Sequence, residues 1–183
     1  MSGASPVDPI SPQPTRGRAA ISNLTSRFER ESRVRVDDGW GADGGLPEKL
    51  RTIVMADTAR SIISRNESPD VPFDSSVNPY RGCEHGCVYC FARPSHAYLG
   101  LSPGLDFETQ LFAKRDAAAL LTRELRSRSY VCKPLALGAN TDPYQPIERE
   151  EGITRAVLEV CRAFNQPVSI ITKSATVLRD LDI

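Results

Sequence analysis

Three cysteines in one short segment constrain this chain more than any other feature. The segment 83–90 reads CEHGCVYC, so Cys83, Cys87 and Cys90 have the spacing C-x₃-C-x₂-C. Tetrahedral zinc sites and ordinary four-cysteine iron–sulfur centres take four protein ligands, whereas this loop provides three thiolates. A [4Fe–4S] cluster held by three cysteines leaves one iron open to bind another molecule. The spacing therefore predicts an enzyme that uses these three cysteines as metal ligands.

Composition limits the other classes of protein. The chain has 183 residues, 40% of them hydrophobic, which is enough for one sizeable core. Its 23 basic and 23 acidic side chains cancel, so a nucleic-acid partner stays an open alternative that no charge excess supports. No apolar run reaches the roughly 18–20 residues of a membrane span, and no signal-peptide pattern is present. The odd number of cysteines favours a reducing cytoplasm over a disulfide framework.

Two regions are predicted along the chain: a disordered extension at residues 1–48 and a folded core at 49–183. Closely spaced prolines and glycines make the extension too poor in apolar surface to offset its chain entropy. Six arginines between positions 16 and 35 outnumber the nearby acids. We interpret them as a solvated basic tail, with contact to a nucleic-acid backbone as the alternative.

The core alternates predicted strands and helices. Strands are predicted at 73–78, 107–111, 134–138 and 168–172. Helices are predicted at 50–63, from Asp116 to Leu125, and at 152–164. This alternation indicates a parallel α/β sheet, which binds its ligands at the carboxyl ends of its strands. Three segments fall at such ends: 83–90, 138–142 and 173–174.

The cysteine loop, with Tyr89 just before its last cysteine, resembles the signature of radical S-adenosylmethionine enzymes. Four further segments resemble the DNA repair photolyase-like branch of that superfamily, which is related to spore photoproduct lyase. They are 78–83 (NPYRGC), 91–94 (FARP), 140–146 (NTDPYQP) and 171–174 (ITKS). The similarity runs from about Arg16 to the last residue. It implies an α/β fold that is the N-terminal part of a partial (β/α)₆ TIM-type barrel.

The resemblance also implies the cofactors. Cys83, Cys87 and Cys90 would hold a [4Fe–4S] cluster, and S-adenosyl-L-methionine would bind its open iron. In that family the reduced cluster cleaves the cofactor to a 5′-deoxyadenosyl radical, which abstracts hydrogen from a substrate. The electron comes from a low-potential donor of the flavodoxin or ferredoxin type. Such chemistry requires a low cluster potential and the exclusion of water.

Six residues are predicted to contact the nucleoside cofactor: Tyr89, Asn140, Thr141, Asp142, Lys173 and Ser174. Tyr89 would pack on the adenine, or else pack the loop against the sheet. Residues 140–142 would bind the methionyl amino group and ribose, or else form a turn. Lys173 and Ser174 would bind the carboxylate or ribose, or else cap a helix.

Two departures from the family pattern open alternatives. Ala139 stands where spore photoproduct lyases carry a hydrogen-donating cysteine, so repair of thymine photoproducts is not expected and the substrate stays unknown. The sequence also ends at Ile183, where such relatives continue, so we expect a core that is incomplete at its C-terminus. One alternative is a non-catalytic iron–sulfur-binding fragment of a truncated or split protein. Another is a zinc module in which His85 joins the three cysteines.

Overall fold

The computed structural model describes residues 17–23, 25, 27–30 and 50–183. The strands of this part are β1 (Ile53–Ala56), β2 (Ile63–Arg65), β3 (Ser75–Val77), β4 (Tyr80–Arg81), β5 (Gln110–Ala113), β6 (Leu135–Leu137) and β7 (Val168–Ile170). Its α-helices are α1 (Leu105–Thr109), α2 (Ala117–Leu125), α3 (Glu148–Glu151) and α4 (Ile153–Ala163). Two 3₁₀ helices span Arg93–Leu99 and Ala175–Asp180.

These strands form two mixed sheets. In one sheet, of order β2-β3-β6-β7, the strands β3, β6 and β7 are parallel and β2 is antiparallel to β3. In the other, of order β1-β5-β4, β1 is parallel and β4 antiparallel to β5. Only Asn78 and Pro79 separate β3 from β4. The chain therefore passes from one sheet to the other immediately before the cysteine loop.

The parallel strands follow one another in chain order, with α2 before β6 and α4 between β6 and β7. The two helices pack against each other. Sequential parallel strands of this kind start a (β/α) barrel, and they also occur in open sheets. The described part is thus mixed α/β, and the partial (β/α)₆ barrel stays a prediction.

The core lies between these helices and the parallel sheet. Helix α2 buries the four side chains predicted for its apolar face, Ala117, Leu120, Leu121 and Leu125. Helix α4 buries Ile153, Val157, Leu158 and Cys161. Both helices lie close to the predicted bounds, because an apolar period of three to four residues specifies a helix that covers a sheet.

Two predicted elements are wrong. The segment 50–63 is not a helix, since β1 pairs with β5 and β2 starts at Ile63. The β-branched Ile53 and Val54 favour an extended chain once a partner strand is available. The segment 107–111 is not one strand, since α1 continues to Thr109 before β5 begins at Gln110. The first three residues of this segment, 107–109, are buried in a short helix, so their apolar and polar order does not reflect the two faces of a strand.

Part of the extension predicted to be disordered contacts the core. Arg18 donates to the Glu108 carbonyl at 2.6 Å and to Thr52 Oγ1 at 2.8 Å. The N–H groups of Ala19 and Ala20 each donate to the Glu108 carboxylate at 3.0 Å. Residues 18–20 are therefore part of the folded structure. Within the predicted disordered segment, positions 1–16, 24, 26 and 31–48 lie outside the described residues.

The helices of the described ranges are short. The longest, α4, has 11 residues and carries charged side chains on its outer face. In the part of the chain that the structure describes, no helix has the length and apolar character needed to span a membrane.

Candidate functional site

The segments that the sequence singled out meet at the carboxyl end of the parallel strands. The cysteine loop (residues 83–90) follows β4, Asp142 follows β6 and Lys173 follows β7. His85 Nε2 lies 3.3 Å from Asp142 Oδ2, and the Lys173 N–H donates to the same oxygen at 3.0 Å. Lys173 Nζ donates to the His85 carbonyl at 3.4 Å. These contacts join the three segments at the carboxyl end of the parallel strands.

The five cysteines of the chain are free thiols. Cys83 is buried, whereas Cys87 and Cys90 are half-buried. The Cys83 N–H donates to the Phe107 carbonyl at 2.9 Å, and the Cys90 N–H closes a turn onto the Cys87 carbonyl at 3.2 Å. Burial raises the pKa of the Cys83 thiol to about 11. The first cysteine is therefore fixed in the fold, and the other two lie nearer the surface.

The residue before the first cysteine has to be glycine. Gly82 has φ +75°, a left-handed conformation that side chains disfavour. A Cβ atom on it would lie 2.6 Å from Leu111 Cδ2 and 2.9 Å from the Phe107 carbonyl oxygen. This close approach lets the loop leave β4 against the core of the protein.

The donor set of the cysteine loop is three thiolates, which zinc and iron–sulfur clusters both take. Among the described residues, no group of three His, Cys, Asp or Glu side chains is arranged to hold one metal ion. Zinc needs all its ligands within about 2.0–2.3 Å of one point. A four-iron cluster instead receives each thiolate on a different iron, and thiolates are the ligands it takes. The zinc alternative stays a prediction, because His85 Nε2 lies 3.3 Å from Asp142 Oδ2 and a zinc-bound histidine commonly has a carboxylate at its other ring nitrogen.

Asp142 joins the segments, and protein donors occupy its carboxylate. Oδ1 accepts the Tyr144 N–H at 2.8 Å and the Thr172 hydroxyl at 2.7 Å, while Oδ2 contacts Lys173 and His85. A carboxylate offers about four acceptor positions. Burial alone raises the pKa of Asp142, but these contacts outweigh it and hold the pKa below its ordinary value. The turn that was the alternative to cofactor binding is thus present.

Asn140 and Thr141 also contact the protein itself. The Asn140 N–H donates to Asn78 Oδ1 at 3.0 Å. The buried Thr141 hydroxyl donates to the Tyr80 carbonyl at 2.9 Å. Both contacts tie the turn after β6 to the chain that leads into the cysteine loop. Their predicted contacts with the cofactor stay predictions.

Lys173 and Ser174 differ in what they contact. The Ser174 hydroxyl accepts the Thr176 N–H at 3.2 Å and caps the 3₁₀ helix that follows. This helix cap is the role predicted as the alternative to cofactor binding. The exposed Lys173 ammonium reaches the cysteine loop, and its contact with Cys87 raises the pKa of Lys173. Lys173 therefore presents a positive charge beside the second cysteine.

The tip of the cysteine loop is exposed. Val88, Tyr89 and Phe91 have exposed fractions of 80%, 81% and 78%. Tyr89 therefore does not pack the loop against the sheet, which was the alternative to its contact with adenine. That contact stays a prediction.

Sequence reasoning missed a buried glutamine that holds the start of the loop. Gln145 Oε1 accepts the Glu84 N–H at 3.0 Å, and Gln145 Nε2 donates to the Gly82 carbonyl at 3.2 Å. These bonds lie on either side of Cys83. The one available signal was the position of Gln145 within segment 140–146.

A buried ion pair supports the other end of the loop. The Arg93 guanidinium pairs with the buried Glu108 carboxylate. Arg93 Nη2 also donates to the Cys87 carbonyl at 3.2 Å. Because Glu108 accepts the N–H groups of Ala19 and Ala20, the N-terminal segment and the cysteine loop share one buried carboxylate.

Comparison with known proteins gives relatives without a stated activity. The uncharacterized proteins Rv2578c of Mycobacterium tuberculosis and Mb2609c of Mycobacterium bovis are each 46% identical over 113 residues, covering 62% of this chain and 33% of theirs. The uncharacterized protein MJ0683 of Methanocaldococcus jannaschii is 28% identical over 108 residues, covering 58% of this chain and 38% of its own. No family model and no solved structure matches. The chain spans about a third of the length of the curated relatives it matches.

Proposed function

We propose that this chain is the cluster- and cofactor-binding part of a radical S-adenosylmethionine enzyme of the photolyase-like branch. One observation carries the proposal: the three-cysteine loop, the turn at Asp142 and the end of β7 at Lys173 meet through direct contacts. A sheet of parallel strands binds ligands at this end. The substrate is left open, because Ala139 removes the expected hydrogen donor.

The roles of individual residues follow from their placement. Cys83, Cys87 and Cys90 would hold a [4Fe–4S] cluster. When bound, it supplies the electron that cleaves S-adenosyl-L-methionine to a 5′-deoxyadenosyl radical. The Lys173 ammonium would attract a carboxylate beside the loop. Tyr89, on the exposed tip, would pack on an aromatic ring such as adenine.

The proposal includes an environment and a partner. All five cysteines are free, which suits a reducing cytoplasm. A low-potential electron donor of the flavodoxin or ferredoxin type would reduce the cluster. The balanced charge of the chain gives no support to a nucleic-acid partner.

A second candidate is a cluster-binding fragment without catalytic activity. It is favoured by β7, which pairs with β6 alone among the described strands. In this candidate the cluster forms, but the cofactor is not cleaved.

Anaerobic reconstitution of the full chain with iron and sulfide separates these candidates. The proposal expects iron–sulfur absorbance in the wild type, its loss in Cys87→Ala and its retention in Cys132→Ala, a matched change of an exposed cysteine. Addition of dithionite and S-adenosylmethionine should then yield 5′-deoxyadenosine. Absorbance without this product supports the fragment. No iron uptake by the wild type, or uptake equal in Cys87→Ala, contradicts both.

A further inference from the structure

We propose that Gln145 is a positioning residue that fixes Cys83 before any ligand binds. The inference deepens the proposed function and rests on it for the statement that Cys83 is a cluster ligand. The side chain of Gln145 is fully buried and bonds to the residues immediately before and after Cys83. Both bonds are made to main-chain atoms, so they restrain the backbone that carries the thiol.

A glutamine amide suits this position because its two ends have opposite hydrogen-bonding character. Glu84 presents an N–H, which needs an acceptor, and Gly82 presents a carbonyl, which needs a donor. The Gln145 carboxamide offers one of each. A glutamate would place an oxygen against the buried Gly82 carbonyl, and an apolar side chain would leave that carbonyl and the partly buried Glu84 N–H unpaired.

The main chain of Gln145 is itself held. Its N–H donates to the Asp142 carbonyl at 3.4 Å, and its carbonyl accepts the Glu148 N–H at 2.9 Å. The Asp142 carboxylate meanwhile accepts the Tyr144 N–H. The turn that contacts β7 through Asp142 therefore also carries the amide that holds the cysteine loop.

Gln166 provides a matched control at the opposite end of the sheet. It is also buried, and its Nε2 donates to the carbonyls of Lys133 at 2.7 Å and Pro167 at 2.9 Å. Its Oε1 accepts the Tyr130 hydroxyl at 2.7 Å. Gln166→Leu therefore removes a comparable set of hydrogen bonds made by a buried glutamine, without touching the cysteine loop.

Two buried cysteines report local and global opening separately. Cys83 lies in the restrained loop, and Cys161 lies on the inner face of α4. Both thiols are buried in the folded protein, so each is shielded from a reagent until the structure around it opens. Release of the loop exposes Cys83 alone, whereas unfolding exposes both.

The experiment measures iodoacetamide labelling of each cysteine by mass spectrometry in the full, reduced, cluster-free chain. In Gln145→Leu we expect Cys83 to react at least about tenfold faster than in the wild type, because two hydrogen bonds made by a buried glutamine are lost. In Gln145→Glu, which keeps the acceptor for Glu84, the increase should be smaller. Cys161 should stay within about twofold of wild type in both variants, and so should Cys83 in Gln166→Leu.

Three labelling results would overturn the inference. One is Cys83 labelling within about twofold of wild type in Gln145→Leu, and another is an equal rise of Cys83 in Gln166→Leu. The third is a rise of Cys83 and Cys161 by the same factor in both Gln145 variants. If Gln145→Leu does not fold, Gln145→Glu decides, with faster Cys83 labelling at unchanged Cys161 as the supporting result.

Iron uptake on anaerobic reconstitution separates this inference from the proposed function. Gln145→Leu should retain less iron per chain than the wild type, while Gln166→Leu should match the wild type. If the wild type takes up no iron, the proposed function fails, and the labelling contrast still decides whether Gln145 restrains the loop. If the wild type and Gln145→Leu take up equal iron, the positioning role fails.

Discussion

The two ends of the parallel sheet β3-β6-β7 use similar polar side chains in different ways. At the carboxyl end, the side chains of Asp142, Gln145 and Thr141 bond to main-chain atoms of the surrounding loops. At the amino end lies an open groove of about 830 Å³ lined by polar and charged residues. There the buried Gln166 also bonds to main-chain carbonyls, but the ion pair of Lys133 and Asp74 lies in solvent, with side chains 57% and 60% exposed.

This difference shows where the fold uses its polar groups to fix geometry. A buried polar group without a partner is costly, so each buried bond at the carboxyl end specifies one loop conformation. An exposed ion pair is only slightly more stable than its two side chains hydrated separately, so it does little to fix the conformation. The carboxyl end is therefore held in shape by the protein's own hydrogen bonds, which is what the proposed cofactor site would need.

The largest expected effect is on the buried carboxylate beneath the loop. Glu108→Ala removes the ion-pair partner of Arg93. It also removes the acceptor of two main-chain N–H groups, those of Ala19 and Ala20. Removing one partner of a buried ion pair typically costs about 3–5 kcal/mol. We expect a decrease of this size in the free energy of unfolding, measured by urea denaturation.

The matched change at the amino end is Asp74→Ala. Because this pair is exposed, its loss should lower the free energy of unfolding by less than about 0.5 kcal/mol. Equal effects of the two substitutions would contradict the distinction between the two ends.

The second-largest effect concerns Asp180, in the 3₁₀ helix after β7. We expect its carboxylate to contribute about 2 kcal/mol to the free energy of unfolding at pH 7. Its buried carboxylate accepts Arg155 Nη1 at 2.9 Å and Arg179 Nε at 2.7 Å. Burial alone raises the pKa of Asp180, but these arginines outweigh it and hold the pKa below its ordinary value of 3.8. Asp180 therefore stabilises the fold above that value, and the contribution is lost as the pH falls through the lowered pKa.

The measurement compares wild type and Asp180→Asn across this range. The difference in free energy of unfolding should be full at pH 7 and shrink as the pH falls below about 4. Asp182→Asn is the control, since Asp182 also pairs with Arg155 but its side chain is 62% exposed, and its effect should be much smaller. A difference that stays constant with pH would show that the charge of Asp180 does not act as described.

The sequence predicted the elements whose signal is local. Helices α2 and α4 follow from an apolar period within their own residues. The β1 strand does not, because it depends on pairing with β5, which lies far along the chain. The helix predicted at 50–63 is wrong because the sequence of this segment does not reveal its partner strand.

The same distinction applies to the site. The ligand role of the three cysteines rests on residue type and spacing, and it stays a prediction. The role of Gln145 could not, because its partners are main-chain atoms 61 and 63 residues earlier, which leave no trace in the sequence. The strand predicted at 107–111 makes Glu108 a polar strand position, whereas the partners of its buried carboxylate are Arg93 and the N-terminal segment.

The smallest expected effect concerns the two tyrosines at the base and the tip of the loop region. Tyr80 is buried, and its hydroxyl donates to Glu148, whereas Tyr89 is exposed. Tyr89→Ala should therefore change the free energy of unfolding by less than about 0.5 kcal/mol, while Tyr80→Phe should cost about 1–2 kcal/mol. Urea denaturation of the cluster-free chain measures both. A cost for Tyr89→Ala as large as that of Tyr80→Phe would mean that the tip packs on the protein. A negligible change in the free energy of unfolding would mean that the fold does not need the Tyr89 side chain, which leaves that side chain available to bind a ligand.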